Sequence, residues 1–122
     1  MPQDAPLVSA DRRGDTLVLA VHAAAFDSTS SSRIRAALEE ALDAAPADSV
    51  AVDLADVELL SSAGLGVLIH LHNGLQAAGR QFAVCAARGD AAAAIRTARL
   101  DRLFDVFPSI GDCLLHRRQE SA

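Results

Sequence analysis

The sequence predicts an α/β domain in which a mixed, largely parallel sheet of about five strands carries four helices, in the order ββαβαβαβα. Apolar segments typical of strands alternate with amphipathic segments typical of helices. Single helices between successive strands imply right-handed crossovers and a mainly parallel sheet. The 122 residues suit one domain, and 51% of them are apolar, which is enough for a core. We therefore expect a single domain over residues 1–122, with its folded core at about residues 7–115.

The predicted sheet begins with a hairpin. Residues 7–10 form its first strand and residues 11–14 a polar turn. Residues 16–21, Thr-Leu-Val-Leu-Ala-Val, form the second strand. This strand is almost continuously apolar, which is typical of a strand that is covered on both faces. We therefore place it centrally in the sheet.

The first helix and the third strand follow from local signals. Residues 27–32 combine Asp, Ser and Thr, which favour a loop and the start of a helix. The apolar residues that follow recur at helical spacing, so we predict a helix over residues 31–45 that Pro46 ends. Residues 49–54 then form the third strand.

The second half of the chain continues the alternation of strands and helices. A helix is predicted from near Ser62 to Ala78, with Gly79 as the left-handed residue that ends it. Ser109 and Asp112 have capping-box spacing, which indicates the start of a last helix. The other predicted elements are a strand at residues 81–86, a helix at about residues 91–98 opened by Gly89 and Asp90, a strand at residues 106–108 and the last helix through about residue 119.

Composition and charge exclude several classes of protein. The net charge is −5, all eleven basic residues are Arg, and no stretch combines aromatic with basic residues, so nucleic acid is disfavoured as a partner. No apolar run approaches the roughly 18–20 residues of a membrane span, and the first residues lack the basic region of a signal peptide. We therefore expect a cytoplasmic protein without membrane insertion. Cys85 and Cys113 lie in apolar contexts without CxxC spacing, which indicates two reduced core thiols.

The pair Ser61-Ser62 joins a hydrophobic stretch to the start of a helix. Ser62 is the predicted N-cap, so its hydroxyl would meet free backbone N–H groups. One interpretation is that both serines only cap the helix. The other is that the helix start receives an anion, because its dipole and free N–H groups favour negative charge, and a phosphate adds about −1.5 to −2 charges there. The residues alone leave both interpretations open.

The helix after these serines has two distinguishable faces at about 100° per residue. One face is apolar and is expected to pack on the sheet; it contains Leu65, Leu68, Ile69, Leu75 and Gln76. The opposite flank continues from Ser62 and contains Gly66, His70, Asn73 and Gly74. This flank is small and polar, so we predict a docking surface with the serine at its edge. Gly64 and Gly66 each cost a helix roughly 1 kcal/mol relative to Ala, which close approach of another backbone would explain.

Two kinds of chemistry are disfavoured by spacing. A serine hydrolase elbow needs Gly-x-Ser-x-Gly, and residues 60–64 lack its first Gly. His70 and His72 lie two positions apart on a helix, so their side chains point about 200° apart and cannot share a metal ion. We predict no metal site, no cofactor and no catalytic residues.

The run from Val52-Asp53-Leu54 to Gly64-Leu65-Gly66-Val67-Leu68 resembles the signature of the STAS family, the anti-sigma factor antagonists. That signature is a strand ending in Asp-Leu, a hydrophobic pair, Asp-Ser-Ser/Ala-Gly-Leu and a helix. The resemblance extends to Phe26-Asp27 and to residues 100–109, and it covers about residues 7–115. Ser62 falls on the serine that kinases of the family phosphorylate. Ser61 replaces the usual acidic residue before it, which makes Ser61 a second candidate acceptor.

The resemblance implies a partner-switching function. Unphosphorylated, the domain would bind an anti-sigma factor that is also a GHKL-type serine kinase, and a sigma factor would be released. Phosphorylation of Ser62 would end the binding, and a PP2C-type phosphatase would restore it. The implied partner-binding residues are Asp27, Ser61, Ser62, Ala63, Gly64, Gly66, His70 and Asn73. Alternatives within the same family are a subunit of a lipid ABC transporter and a component of a stressosome-like scaffold, and a monomer or weak dimer is expected.

Overall fold

The fold is seen in a computed structural model that describes residues 6–121, with side chains described through residue 117. Within these residues, five strands form the main sheet and two short strands form a separate ribbon. In chain order the strands are β1 (Val8–Arg13), β2 (Thr16–Val21), β3 (Ala25–Phe26), β4 (Ser49–Asp53), β5 (Leu59–Leu60), β6 (Gln81–Cys85) and β7 (Asp105–Phe107). The helices are α1 (Ser31–Ala44), α2 (Ser62–Ala77), α3 (Gly89–Thr97) and α4 (Ile110–Ser121), and a 3-10 turn spans Leu100–Arg102.

The main sheet has the strand order β1-β2-β4-β6-β7. β1 is an antiparallel edge strand, and the other neighbours pair in parallel. The predicted mixed, mainly parallel sheet with four helices is confirmed, and β2 has a neighbour on each side as its apolar sequence indicates. The prediction missed β3 and β5, because strands of two residues are too short to show a period of two.

The first hairpin turn is shorter than predicted. Residues 11–13 continue β1 in register with β2 instead of forming a turn. The chain reverses at Gly14, whose φ of +62° is a left-handed conformation that glycine adopts without steric strain. The polar residues 11–13 are exposed on the edge strand, which is why they resembled a turn.

The two faces of the sheet pack against different helices. The larger core includes Leu17, Leu19, Val50, Val52 and Val84 of the sheet and Ile34, Leu38, Leu68 and Ile95 of α1, α2 and α3. On the other face, the small side chains of Ala51, Ala83 and Cys85 contact Cys113 of α4. Both cysteines are buried and neither is in a disulfide, and their mutual hydrogen bond together with burial raises the pKa of the Cys85 thiol.

The structure confirms two of the predicted helix-terminating and helix-capping residues. Gly79 follows α2 with a φ of +74°, which closes the helix as predicted. The Asp112 N–H donates to Ser109 Oγ at 3.0 Å, so Ser109 caps α4. In the described part of the chain, none of the helices has the length and apolar character needed to cross a bilayer.

Candidate functional site

The ribbon of β3 and β5 brings two of the predicted site residues to one edge of the fold. Phe26 and Leu60 are register partners in this parallel pair, and the Ser61 N–H donates to the Phe26 carbonyl oxygen at 3.0 Å. Asp27 and Ser61 therefore leave the ribbon side by side. The chain reaches this arrangement by joining segments that lie 34 positions apart in the sequence, as counted from residue 27 to residue 61.

Ser61, not Ser62, is the N-cap of α2. The Ser61 backbone is extended, with φ −87° and ψ 178°, and its carbonyl accepts the first helical bond, from the Leu65 N–H at 2.9 Å. The prediction of Ser62 as N-cap is wrong by one residue, because the bond to Phe26 holds Ser61 in the extended conformation. Ser62 is the first residue of the helix, and it is exposed.

The two serine hydroxyls lie in different environments. The Oγ of Ser61 is buried and has no hydrogen-bond partner among the described residues. It makes no capping bond to the helix. The first turn of α2 also contains no acidic residue. The first turn of α2 therefore supplies no negative side-chain charge of its own to the positive end of the helix dipole, next to the exposed Ser62.

Gly64 lies beneath the surface that it was predicted to form. A Cβ at this position would lie 2.6 Å from the Phe26 carbonyl oxygen and 2.6 Å from Leu60 Cδ1. The close backbone approach that the glycine suggested is therefore made to the β3–β5 ribbon inside the same chain, and Gly64 presents no surface to a partner. Gly66 differs, because it is exposed and a Cβ there would meet nothing within 4 Å.

The polar flank of α2 is exposed along its length, at Gly66, His70, Asn73 and Gly74, as predicted. Ala63 is half-buried at its start. On the opposite face, Leu68, Leu71 and Leu75 are buried. Gln76 is exposed, so its assignment to the buried face is wrong. The buried stripe is centred on Leu71 and Leu75, which places Gln76 at the margin of the stripe.

His70 and His72 have separate surroundings, as their spacing predicts. His72 is buried beside Phe82 and Phe104, with ring centroids 6.1 and 5.7 Å away. His70 is exposed, and its Nε2 lies 3.3 Å from Glu39 Oε2 on α1. In the described residues, no group of three His, Cys, Asp or Glu side chains has metal-binding geometry.

A groove between α1 and α2 runs beside the serine turn. Its volume is about 250 Å³, and it is lined by Ser31, Ser32, Arg35, Ala63, Gly66, Val67 and His70. The Arg35 guanidinium lies 3.0 Å from His70 Nε2 and 3.6 Å from Glu39 Oε1. Sequence reasoning missed Arg35 and Glu39. Their spacing of four places them on one face of α1, but the packing of α1 beside α2 decides that this face meets His70.

Asp27 organises the turn before α1. Its Oδ1 accepts hydrogen bonds from the Thr29 N–H at 3.0 Å, the Thr29 hydroxyl at 2.8 Å and the Ser30 N–H at 3.2 Å. The bonds from Thr29 and Ser30 hold the pKa of the Asp27 carboxyl below its ordinary value. Asp27 therefore has a structural role, and its contact with a partner stays a prediction.

Leu59 is a surface residue of this edge that the sequence reasoning missed. It is 48% exposed, whereas its neighbour Leu60 is 4% exposed and packs in the core. Successive strand residues point to opposite faces, and in β5 Leu60 faces the core while Leu59 faces solvent. The sequence carried no signal for this difference, because both residues of an adjacent apolar pair can be buried, as they are in β2. An exposed leucine thus lies three residues before Ser62.

A family model described as "STAS domain" matches residues 8–113, which is most of the chain. The chain belongs to the STAS domain family. No curated protein matches it. The match includes the serine turn, the β3–β5 ribbon and the groove between α1 and α2.

Solved structures share the fold of this STAS domain. A candidate anti-sigma factor antagonist from Thermotoga maritima has a TM-score of 0.82 and 16% identity, over 91% of this chain and 94% of that chain. An anti-sigma factor antagonist from Mycobacterium paratuberculosis has a TM-score of 0.80 and 25% identity, over 91% and 92%. A sulfate transporter family protein from Wolinella succinogenes has a TM-score of 0.73 and 12% identity, over 88% of each chain.

Proposed function

We propose that this STAS domain is an anti-sigma factor antagonist that works by partner switching. In its unphosphorylated form it binds an anti-sigma factor that is also a GHKL-type serine kinase, which releases a sigma factor in the cytoplasm. Phosphorylation at Ser62 ends that binding, and a PP2C-type phosphatase restores it. The observation that carries the proposal is the exposed residue Ser62 at a helix start that has no side-chain capping bond and no acidic residue in its first turn.

The choice of Ser62 over Ser61 rests on access. A kinase must bring the acceptor hydroxyl in line with the γ-phosphate of ATP, so the hydroxyl has to reach the kinase surface. The Oγ of Ser61 is buried in the folded domain, whereas Ser62 is exposed. We therefore assign the acceptor role to Ser62. The lack of an acidic side chain at position 61 does not prevent phosphorylation of Ser62, because the Ser61 hydroxyl points into the fold.

The fold accepts a phosphate at Ser62 more easily than an interface would. Negative charge at the first turn of a helix is favourable by about 0.3–1 kcal/mol, so the free domain tolerates the modification. A docked partner would instead have to desolvate a group that carries about −1.5 to −2 charges, which costs several kcal/mol if no cation pairs with it. A loss of about 3 kcal/mol already lowers affinity by more than a hundredfold. A local modification is thus sufficient to switch binding without refolding.

The partner surface extends from Leu59 through Ser62 along the exposed flank of α2 to Asn73. Leu59 supplies the apolar side chain of this surface. Gly66 leaves the flank open beside Ser62, because no side chain covers the backbone there. Asp27 lies at the margin of the same surface, next to Ser61. An apolar anchor surrounded by small and polar groups is a common composition for a binding site on a protein surface.

The test is phosphate transfer from purified GHKL-type anti-sigma kinases of the source genome, with the modified residue located by mass spectrometry. We expect one kinase to modify the wild-type domain and Ser61→Ala, and to leave Ser62→Ala unmodified.

The same kinase should bind Ser62→Ala, and its affinity for Ser62→Asp, measured by calorimetry, should be more than a hundredfold lower. Phosphate on Ser62→Ala, or equal affinities for the two variants, would reject the proposal. Capture of an ABC transporter ATPase or of scaffold subunits in place of a kinase would replace it with the corresponding alternative.

A further inference from the structure

Three polar side chains outside the serine turn form one hydrogen-bonded chain. Ser9 lies on β1, His22 follows the end of β2, and Asp56 follows β4. The Ser9 Oγ is 2.7 Å from His22 Nε2, and His22 Nδ1 is 3.0 Å from Asp56 Oδ2. The order of atoms is hydroxyl, imidazole Nε2, imidazole Nδ1 and carboxylate. This is the order by which an activated serine is recognised, whatever the fold that carries it.

The direction of the hydrogen bonds follows from the chemistry of the groups. A carboxylate only accepts, so the His22 Nδ1 carries the hydrogen that it donates to Asp56. In the neutral ring the Nε2 lone pair is then free to accept, and the Ser9 hydroxyl is the donor that meets it. Asp56 therefore holds the tautomer of His22 in which Nε2 can take the Ser9 proton.

The sheet places a backbone donor beside Ser9. β1 is an edge strand, and the His22 N–H donates to the Leu7 carbonyl oxygen at 2.7 Å. Antiparallel pairing alternates, so the N–H of Ser9 faces β2 and the N–H of Ala10 points away from it. The N–H of the residue after the nucleophile is one of the groups that stabilise an oxyanion in serine hydrolases. Ala10 offers that group on the open side of the strand.

We propose that Ser9 is an activated nucleophile that takes acyl groups from activated esters and, by releasing them to water, hydrolyses such esters. The Ser9 Oγ attacks the ester carbonyl carbon, and its proton moves to His22 Nε2. The C–O bond to the leaving alcohol breaks, and that alcohol departs with the proton from His22. Water then attacks the acyl-Ser9 ester, passes its proton through His22 to the Ser9 Oγ, and releases the carboxylic acid.

The openness of the site defines its substrates. The His22 side chain is 40% exposed and that of Asp56 is 63% exposed. Solvent therefore surrounds the leaving group, and substrates with good leaving groups, such as aryl esters, should react fastest. A positioned base contributes about 10²–10⁴-fold to such a reaction, so the activity is slow compared with that of a dedicated hydrolase. This proposal is independent of Ser62 and of the partner.

The experiment uses the full chain with a fluorophosphonate probe and with p-nitrophenyl acetate. We expect the probe to attach to Ser9, as located by peptide mass mapping, and acetate ester hydrolysis to depend on the same residue. Ser9→Ala should abolish labelling, and His22→Ala should lower its rate by at least about tenfold, because the base is removed. Asp56→Asn should slow labelling as well, through the tautomer of His22.

Ser28→Ala is the matched control, because Ser28 is exposed in the loop before α1. Its labelling and hydrolysis rates should equal those of the wild type. Labelling that persists in Ser9→Ala would overturn the proposal, and so would labelling of Ser9 at an unchanged rate in His22→Ala. All four substitutions are at exposed positions, and circular dichroism checks that the fold is intact in each.

Discussion

Gly64 and Phe26 lie so close together that a Cβ at position 64 would come within 2.6 Å of the Phe26 carbonyl oxygen. That oxygen also accepts the hydrogen bond from the Ser61 N–H. The same carbonyl oxygen therefore accepts the hydrogen bond of the N-cap serine and leaves no room for a side chain at position 64. This contact fixes where α2 begins and which of the two serines is exposed.

Gly64→Ala is expected to destabilise the domain by about 1–3 kcal/mol, because the new methyl group overpacks against backbone that cannot yield easily. Gly66→Ala is the matched control in the same helix. A Cβ there meets nothing within 4 Å, so the substitution should stabilise the domain by roughly 0.5–1 kcal/mol. Urea denaturation of the two variants measures both effects. Equal stabilities would show that the contact with Phe26 is not a constraint.

Ser62→Asp is expected to raise stability by about 0.3–1 kcal/mol, because it puts a negative charge at the first turn of a helix without acidic residues there. The gain should shrink at high salt, which screens the dipole interaction. Gln76→Glu, at the other end of α2, should have the opposite sign. Thermal denaturation at low and high ionic strength tests the pair, and a Ser62→Asp variant less stable than the wild type would contradict the expectation.

Leu59→Ala is expected to weaken binding of the partner kinase by about 1–2 kcal/mol, roughly a tenfold change in affinity, with little effect on folding. The reason is that Leu59 is 48% exposed next to the serine turn. Leu103 is exposed to a similar extent, 44%, and lies outside the proposed partner surface, so Leu103→Ala is the control. Calorimetric titration compares them. If both variants bind equally well, Leu59 is not part of the interface.

Asp27→Asn is expected to destabilise the domain at neutral pH and to lose that effect in acid. The hydrogen bonds from Thr29 and Ser30 lower the pKa of Asp27 in the folded state below the ordinary 3.8. A lowered folded-state pKa stabilises the fold above the unfolded-state pKa, and this stabilisation is lost as the pH falls through the folded-state value. Stability differences between the wild type and Asp27→Asn, measured from pH 7 down to about pH 2, test the sign.

The control for this series is Asp43→Asn, a substitution of an exposed carboxylate on α1. This substitution removes one negative charge, as Asp27→Asn does, but leaves the turn formed by Asp27 and Thr29 intact, so it separates the effect of the lost charge from that of the lost hydrogen bonds. The same pH dependence in both variants would show that the overall charge of the domain, and not the set of hydrogen bonds to Asp27, causes the effect.

Local patterns were sufficient for the order of the five main-sheet strands and the four helices, and for the position of α2. The apolar spacing in residues 31–45 and the glycine at position 79 act over one or two helical turns, and they predict structure without knowledge of what packs on them. The ribbon of β3 and β5 lay beyond such reasoning, because each strand has two residues and is stabilised by the other. The N-cap of α2 was assigned to Ser62 instead of Ser61 for the same reason, since the bond from Ser61 to Phe26 is a contact between distant segments.

The sequence by itself determined that a helix begins at the two serines and carries a small polar flank, because propensity and periodicity are properties of neighbouring residues. Only the tertiary structure decided that the Ser61 hydroxyl is buried and Ser62 exposed, that Gly64 packs inside on Phe26, and that Leu59 faces outward. The hydrogen bonds that join Ser9, His22 and Asp56 were likewise visible only in the tertiary structure. Each depends on side chains from segments that approach only when the sheet is assembled.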